Sequence, residues 1–251
     1  MCGICGVIGE TRGELAESRA RSMLASMVHR GPDDEGLLAK PGAMLGMRRL
    51  SIIDLGGGHQ PIFNEDGSVG VVFNGEIYNF PHVRASLESR GHHFRTNSDT
   101  EVIVHAYEEW GERCLTHLRG MFAFALWDGR SSSTQGESRV LLARDRLGIK
   151  PLYYRVTTDE VIWGSEIKVV RAYPGSGAEF DRSALPEYLA FGYLSGEQTF
   201  YRGIRKLMPG HWMEIDRSGQ VNIQQYWDLA VTKSERPQSQ AEYIHTYREM
   251  L

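Results

Sequence analysis

Apolar and polar positions along the chain follow two periods, and the switches between them mark its elements. Gly3 to Ile8 is an unbroken run of small and apolar residues that predicts a strand. Over residues 15–28, Ala16, Ala20, Met23, Leu24, Met27 and Val28 recur at helical spacing, with Glu14, Glu17, Arg19 and Arg21 off the stripe. His29-Arg30-Gly31-Pro32-Asp33 ends that helix with glycine and proline. Residues 43–53 read as a strand region, and Asp66-Gly67 as a hairpin turn ahead of Val69 to Phe73. A helix follows Tyr78-Asn79-Phe80-Pro81, with Pro81 in its first turn, and stops at Gly91. Ser98-Asp99-Thr100-Glu101 has the form of a capping box, and Val102, Ile103, Ala106, Tyr107 and Trp110 supply the apolar face behind it.

From Met121 onward the period is mostly that of strands: Met121 to Trp127, Arg139 to Ala143, Leu152 to Val156 and Val161 to Gly164, with a polar loop from Ser131 to Ser138. A helix is predicted near Ser183 to Ala190 and a strand pair over His211 to Ile215 and Val221 to Tyr226. The tail after Leu229 is polar, and a helical pattern from Gln240 to Leu251 carries no cap. Many strands with few crossover helices predict an α+β fold with antiparallel sheets.

Composition narrows the class. The chain has 251 residues, 41% apolar and 24% charged, ordinary values for a globular protein. A net charge of −4 gives no reason to expect a nucleic-acid or membrane surface. No apolar run approaches the roughly 20 residues of a membrane-spanning helix, and no charged segment precedes a short apolar one as in a secretion signal. Three cysteines, an odd number, fit a reducing cytoplasm and argue against a disulfide framework.

Cys2 is the residue with the most chemistry to offer. Removal of Met1 would leave one residue carrying both a thiol nucleophile and a free α-amine to serve as its base. The plainer reading is a buried, inert cysteine in a first strand. Cys2 and Cys5 also form a Cys-x-x-Cys, but zinc needs about four ligands, the only other cysteine is Cys114, and the motif lies within an apolar run where a redox site would not. No metal is expected here.

Four further segments place polar groups at strand or helix ends. Arg49, within Arg48-Arg49-Leu50-Ser51-Ile52, is an arginine in an apolar strand and needs an anion if buried; its planar fork suits a carboxylate. Asn74-Gly75 reads first as a type I′ turn, yet an asparagine amide beside a glycine N–H could also form an oxyanion hole. Asp99 is a spare carboxylate in a first helical turn, suited to the helix dipole or to a substrate ammonium. The His29 to Asp34 turn could close over a site or simply carry cations near a helix C-terminus. Together Arg49, Asp99, Cys2, Asn74 and Gly75 complement an amino acid with a side-chain amide, glutamine or asparagine.

These segments resemble those of a known family. Cys2-Gly3-Ile4-Cys5-Gly6-Val7, His29-Arg30-Gly31-Pro32-Asp33, Arg49-Leu50-Ser51-Ile52, Asn74-Gly75-Glu76-Ile77-Tyr78-Asn79 and Ser98-Asp99-Thr100-Glu101 are similar to class II glutamine amidotransferase domains. Gly120 to Ala125, Arg144 to Tyr154, Gly164 to Lys168, Phe200 to Ile204, Leu207 to His211 and Gln225 to Asp228 narrow the likeness to the glutamine-hydrolysing asparagine synthetase type. The resemblance implies a four-layer αββα sandwich of the Ntn-hydrolase kind, with two antiparallel sheets between helices. It implies Cys2 as nucleophile and Asn74 and Gly75 as oxyanion donors. It makes Arg49 and Asp99 the ligands of the glutamine carboxylate and ammonium, with Glu76 helping at the ammonium end and Leu50 and Ile52 lining the pocket.

The resemblance also implies a glutaminase domain over residues 2–216, followed over 217–251 by a linker and the start of a synthetase domain. The family's ATP-pyrophosphatase loop is not found within the sequence, and the uncapped pattern at 240–251 leads us to expect a fragment; a stand-alone form with a partner is the alternative. No cofactor is expected for the glutaminase half, and ATP and Mg only for a synthetase domain. The expected partners are L-glutamine and a synthetase domain, with homodimerisation left open. Two alternative readings remain: a class II domain serving a different ammonia acceptor, and a glutamine-binding module inactive without its synthetase partner.

Overall fold

A computed structural model of the chain describes residues 2–9, 13–51, 58–130, 138–230 and 239–250. In chain order the elements are β1 (Gly3–Gly9), α1 (Gly13–Ala25), β2 (Asp34–Lys40), β3 (Ala43–Arg49), β4 (Ile62–Phe63), β5 (Val69–Ile77), α2 (Phe80–Glu88), α3 (Glu101–Trp110), α4 (Cys114–His117), β6 (Gly120–Asp128), β7 (Arg139–Arg144), β8 (Tyr153–Val156) and β9 (Glu160–Gly164). They continue with α5 (Ile167–Ala172), α6 (Leu185–Phe191), β10 (Ile204–Lys206), β11 (His211–Asp216), β12 (Val221–Gln225) and α7 (Gln240–Met250).

The strands form two antiparallel six-stranded sheets. The first runs β10-β8-β9-β1-β3-β2 and the second β12-β11-β7-β6-β5-β4. Side chains alternate across a strand, so a central strand of a covered sheet feeds two cores at once. In β1, Ile4 and Ile8 enter the core between the sheets, while Cys5 and Val7 enter an outer core against Met23, Leu24 and Met27 of the α1 region and Val169 and Val170 of α5. In β6, Ala123, Ala125 and Trp127 face the inter-sheet core, and Phe122, Phe124 and Leu126 face Val83, Leu87, Val102 and Ile103 of α2 and α3. This double use explains the unbroken apolar run in β1, and it produces the expected αββα order of layers.

Two glycines let these layers close. A Cβ on Gly6 would lie 2.2 Å from the Trp163 ring and 2.4 Å from the Met44 carbonyl oxygen, so the indole of β9 fills the space left by Gly6. Gly67, with φ +74°, turns the β4–β5 hairpin as the Asp-Gly signal indicated.

Several elements differ from the sequence reading. β2 is an additional edge strand, paired with β3 from Asp34↔Arg49 to Lys40↔Ala43. Asn74-Gly75 is not a turn: both residues lie inside β5, opposite Ala123 and Phe122 of β6. The boundary drawn after residue 216 falls within the β11–β12 hairpin, where Ile215 pairs with Val221. Among the described residues no helix is long and apolar enough to cross a membrane.

Candidate active site

The expected site residues come from four separate elements and meet in one cleft of about 630 Å³, open mouth included. Cys2 stands just before β1, and Arg49 ends β3; the antiparallel register Gly3↔Arg48 brings the two strand ends together. Leu50 donates its backbone N–H to Cys2 Sγ at 3.4 Å, and the thiol reaches the Leu50 carbonyl at 3.6 Å. Asn74, Gly75 and Glu76 come from β5, and Asp99 from the segment leading into α3. All seven line the cleft. Ile52 lies outside the described residues.

The alternation of β5 explains how adjacent residues can serve one site. Val72 belongs to the inter-sheet core and Phe73 to the helix-side core, so Asn74 points between the sheets, toward the side on which Cys2 packs. Asn74 is 1% exposed, and its Nδ2 has no hydrogen-bond partner among the described residues. Backbone N–H groups alternate too. Phe73 donates to Gln60 Oε1 at 2.7 Å and Ile77 donates to Asp99 Oδ2 at 2.8 Å, both away from β6. Gly75, midway between them, directs its N–H to that same edge. The glycine itself is required by the neighbouring strand, because a Cβ there would lie 2.2 Å from the Met121 carbonyl oxygen and 2.7 Å from Phe122 Cα.

Glu76 and Asp99 bring negative charge to the cleft. Burial pushes the Asp99 carboxyl above the ordinary carboxylate range, opposed by backbone N–H groups led by that of Ile77. Burial also raises Glu76, the charge of Asp99 adds to the rise, and Lys150 offsets part of it. A buried carboxylate beside a half-buried one whose acidity it weakens is poised to receive a cation. The expected capping box is replaced by other contacts. Ser98 Oγ accepts from Thr100 N at 3.2 Å, while the Glu101 carboxylate takes the N–H groups of Arg95 (2.8 Å) and Thr96 (2.7 Å). The helix entry therefore fixes the loop that carries Asp99.

Arg30 holds the backbone of Cys2. Its Nε donates to the Cys2 carbonyl at 2.9 Å, and its NH1 pairs with Glu166 Oε1 at 2.9 Å, which His29 Nε2 meets at 3.0 Å. Burial raises the Glu166 carboxyl, but hydrogen bonds from Arg30, His29 and Lys168 outweigh it and hold it at about 2, against an ordinary 4.5. A carboxyl depressed on folding contributes stability that is complete above its unfolded value and disappears as pH falls through its folded value. A Glu166→Gln variant is therefore expected to be less stable than the parent at pH 6–7, with the gap closing as pH drops from about 4.5 toward 2. Urea midpoints of the two proteins across that range test this, and a gap independent of pH refutes it.

Sequence reasoning left Lys150, Gln60 and Thr100 without a role, yet all three line the cleft. Lys150 sits at the end of a loop organised by Asp145, whose carboxylate accepts four backbone N–H groups, from Phe122, Leu147, Ile149 and Lys150, at 3.0–3.1 Å. The signal was an Arg-Asp pair leaving an apolar strand. Gln60 gave none, since only the fold shows its amide bridging Phe73 and Thr100. Cys5 and Cys114 are fully buried, and burial pushes both thiols well above the ordinary range, as befits core residues.

Residues 1–227 match the sequence profile described as the glutamine amidotransferase domain. This chain belongs to that family. It is a class II glutamine amidotransferase domain, 37% identical over 239 residues to glutamine-hydrolyzing asparagine synthetase 3 of Bacillus subtilis (strain 168), covering 93% of this chain and 38% of the relative. Glutamine-hydrolyzing asparagine synthetase 2 of the same organism is 39% identical over 241 residues, covering 91% of this chain and 31% of the relative. The amidotransferase domain thus spans about a third of the length of these curated relatives. Among solved structures, glutamine phosphoribosylpyrophosphate amidotransferase from B. subtilis shares the fold at a TM-score of 0.65 and 20% identity, covering 90% of this chain and 49% of that one.

Proposed function

We propose that this chain is the glutaminase half of an asparagine synthetase-type amidotransferase, releasing ammonia from the side-chain amide of L-glutamine and leaving L-glutamate. One observation carries the reading. The Cys2 thiol and the buried Asn74 amide, whose Nδ2 has no partner among the described residues, open on the same cleft as Arg49 and the carboxylates of Glu76 and Asp99. A cation for a carboxylate, anions for an ammonium and a nucleophile beside an amide donor together describe a free amino acid with a reactive side-chain amide.

In this reading removal of Met1 frees the Cys2 α-amine, which takes the thiol proton. The thiolate attacks the glutamine side-chain carbonyl carbon, and the carbonyl oxygen becomes an oxyanion held by Asn74 Nδ2 and the Gly75 N–H. Collapse breaks the C–N bond, the leaving nitrogen receives the amine's proton and ammonia departs. Water, deprotonated by the same amine, then cleaves the γ-glutamyl thioester to glutamate and restores the thiol. Arg49 forks onto the α-carboxylate, Asp99 and Glu76 receive the α-ammonium, and Leu50 lines the pocket. The glutaminase step needs no cofactor. The ammonia passes to a synthetase domain that amidates aspartate at the expense of ATP with Mg, on the same polypeptide or a cytoplasmic partner.

Incubating the Met1-free protein with L-glutamine alone is the test: ammonia and glutamate are expected in equal amounts. Glutamine binding by calorimetry without either product would sink the proposal in favour of a binding module. Asn74→Ala is expected to lower kcat by about 10²–10³-fold with KM nearly unchanged, the signature of a donor used in the transition state. A raised KM at constant kcat would make Asn74 a ground-state ligand instead.

A further inference from the structure

Away from the cleft, α3 carries a second cluster of polar groups that glutamine hydrolysis does not use. His105 lies in the middle of the helix, its side chain 1% exposed and its ring 4.5 Å from that of Phe94. Glu108 follows one turn later, and His92 comes from the segment after α2. We propose that His92, His105 and Glu108 form a binding site for one divalent transition-metal ion of the zinc type.

The donor atoms are already assembled. One ligand atom from each of the three residues lies within 4.8 Å of the other two. Glu108 Oε2 is 3.1 Å from His105 Nδ1 and 3.9 Å from His92 Nδ1. Donors around a tetrahedral zinc at about 2.0–2.1 Å stand about 3.3 Å apart, so side-chain adjustments of well under a rotamer suffice. The Glu65 carboxylate, 3.9 Å from His105 Nδ1, stands beside the cluster as a fourth donor, with water as its substitute.

The surrounding groups are arranged as a metal site requires. A metal-bound histidine usually gives its remaining ring N–H to a carboxylate, which fixes tautomer and ring orientation. His92 has that partner, its Nε2 meeting Glu109 Oε2 at 3.4 Å, and His105 Nε2 faces Glu101 Oε1 at 3.6 Å, just beyond hydrogen-bond reach. Glu101 is anchored by the Arg95 and Thr96 N–H groups, and Glu109 by Arg90 at 2.8 Å. Asn64 Nδ2 occupies Glu108 Oε1 at 2.7 Å, leaving Oε2 alone to point at the two imidazoles. Among the described residues this is the one group of three histidine, cysteine or acidic side chains with such spacing.

The chain, stripped with a chelator, is titrated with zinc chloride by calorimetry. About one equivalent is expected to bind, in the parent and equally in Cys2→Ala, which excludes the Cys-x-x-Cys as the ligand. His92→Ala and Glu108→Gln alter half-buried positions that circular dichroism can show to be folded, and each is expected to weaken binding by well over tenfold. Glu109→Gln, which removes only a histidine's carboxylate partner, is expected to cost about tenfold. Absence of zinc binding to the parent, or binding unchanged in both His92→Ala and Glu108→Gln, overturns the proposal.

Discussion

Replacing Cys2 by alanine is expected to abolish ammonia release from glutamine while leaving the fold and glutamine binding in place. The substitution removes a single half-buried sulfur at the edge of the inter-sheet core, whose hydrogen bonds are two long ones to Leu50 at 3.4 and 3.6 Å. The backbone of residue 2 stays fixed, because Arg30 holds its carbonyl rather than its side chain. Stability should therefore change by no more than about 1 kcal/mol. Catalysis has no such reserve. Without a thiol no acyl intermediate forms, and Asn74 and Gly75 can only polarise an amide that water attacks slowly. Loss of a nucleophile that works together with its base costs about 10⁴-fold or more. An enzyme-coupled ammonia assay, calorimetric glutamine titration and a thermal melt on the same preparation separate the three properties. Turnover retained in Cys2→Ala would remove Cys2 from the mechanism. A chain that keeps residues ahead of Cys2 should be equally inactive, since the nitrogen is then an amide and takes no proton.

Hydrophobic periodicity located the central strands because both faces of each sheet are covered. β1, β6 and β9 are apolar on both sides, and such runs stand out. β2 escaped because its burial is partial and its sequence, Asp34-Glu35-Gly36-Leu37, starts with charges. One of these is not a surface ornament: Glu35 pairs with Arg48 across the strand pair at 3.2 Å. Asn74-Gly75 misleads as a local signal. The dipeptide usually turns a hairpin, but here the glycine is set by the backbone of β6 and the asparagine by the gap between the sheets, and both constraints are tertiary. Likewise Ser98 to Glu101 has the letters of a capping box, yet Glu101 reaches back to Arg95 and Thr96, residues positioned by the path of the chain from α2. Two side chains that meet in the cleft could be picked out because each is chemically odd for its place: an arginine ending an apolar strand, a cysteine at position 2. Lys150 and Gln60 are ordinary residues in ordinary loops, and only the fold carries them to the cleft.

The largest loss of stability from one substitution away from the cleft's reactive groups is expected at Asp145. Its Oδ1 accepts from Leu147 N (3.1 Å) and Ile149 N (3.0 Å), and its Oδ2 from Phe122 N (3.1 Å) and Lys150 N (3.0 Å). The carboxylate is 1% exposed, so water cannot take its place. Beside it the Arg144 guanidinium donates to the carbonyls of Lys150, Leu207 and Gly148, so that one side chain takes the loop's N–H groups and the other its carbonyls. Asp145→Ala leaves four N–H groups without an acceptor, each lost charge-assisted bond costing about 1–3 kcal/mol before relaxation. We expect a net loss of about 4 kcal/mol or more, which for a domain of this size lowers the melting temperature by about 8–16 °C. Asp145→Asn is not conservative here, because its amide NH₂ would face two N–H donors where an oxygen now faces them. Function should follow structure through Lys150, whose place in the cleft depends on this loop. At a temperature where Asp145→Asn remains folded, KM for glutamine should rise more than kcat falls, since Cys2 and Asn74 stand on other strands. An unfolding midpoint equal to the parent's in Asp145→Ala would show that the loop's N–H groups find other acceptors and that the carboxylate does not organise it.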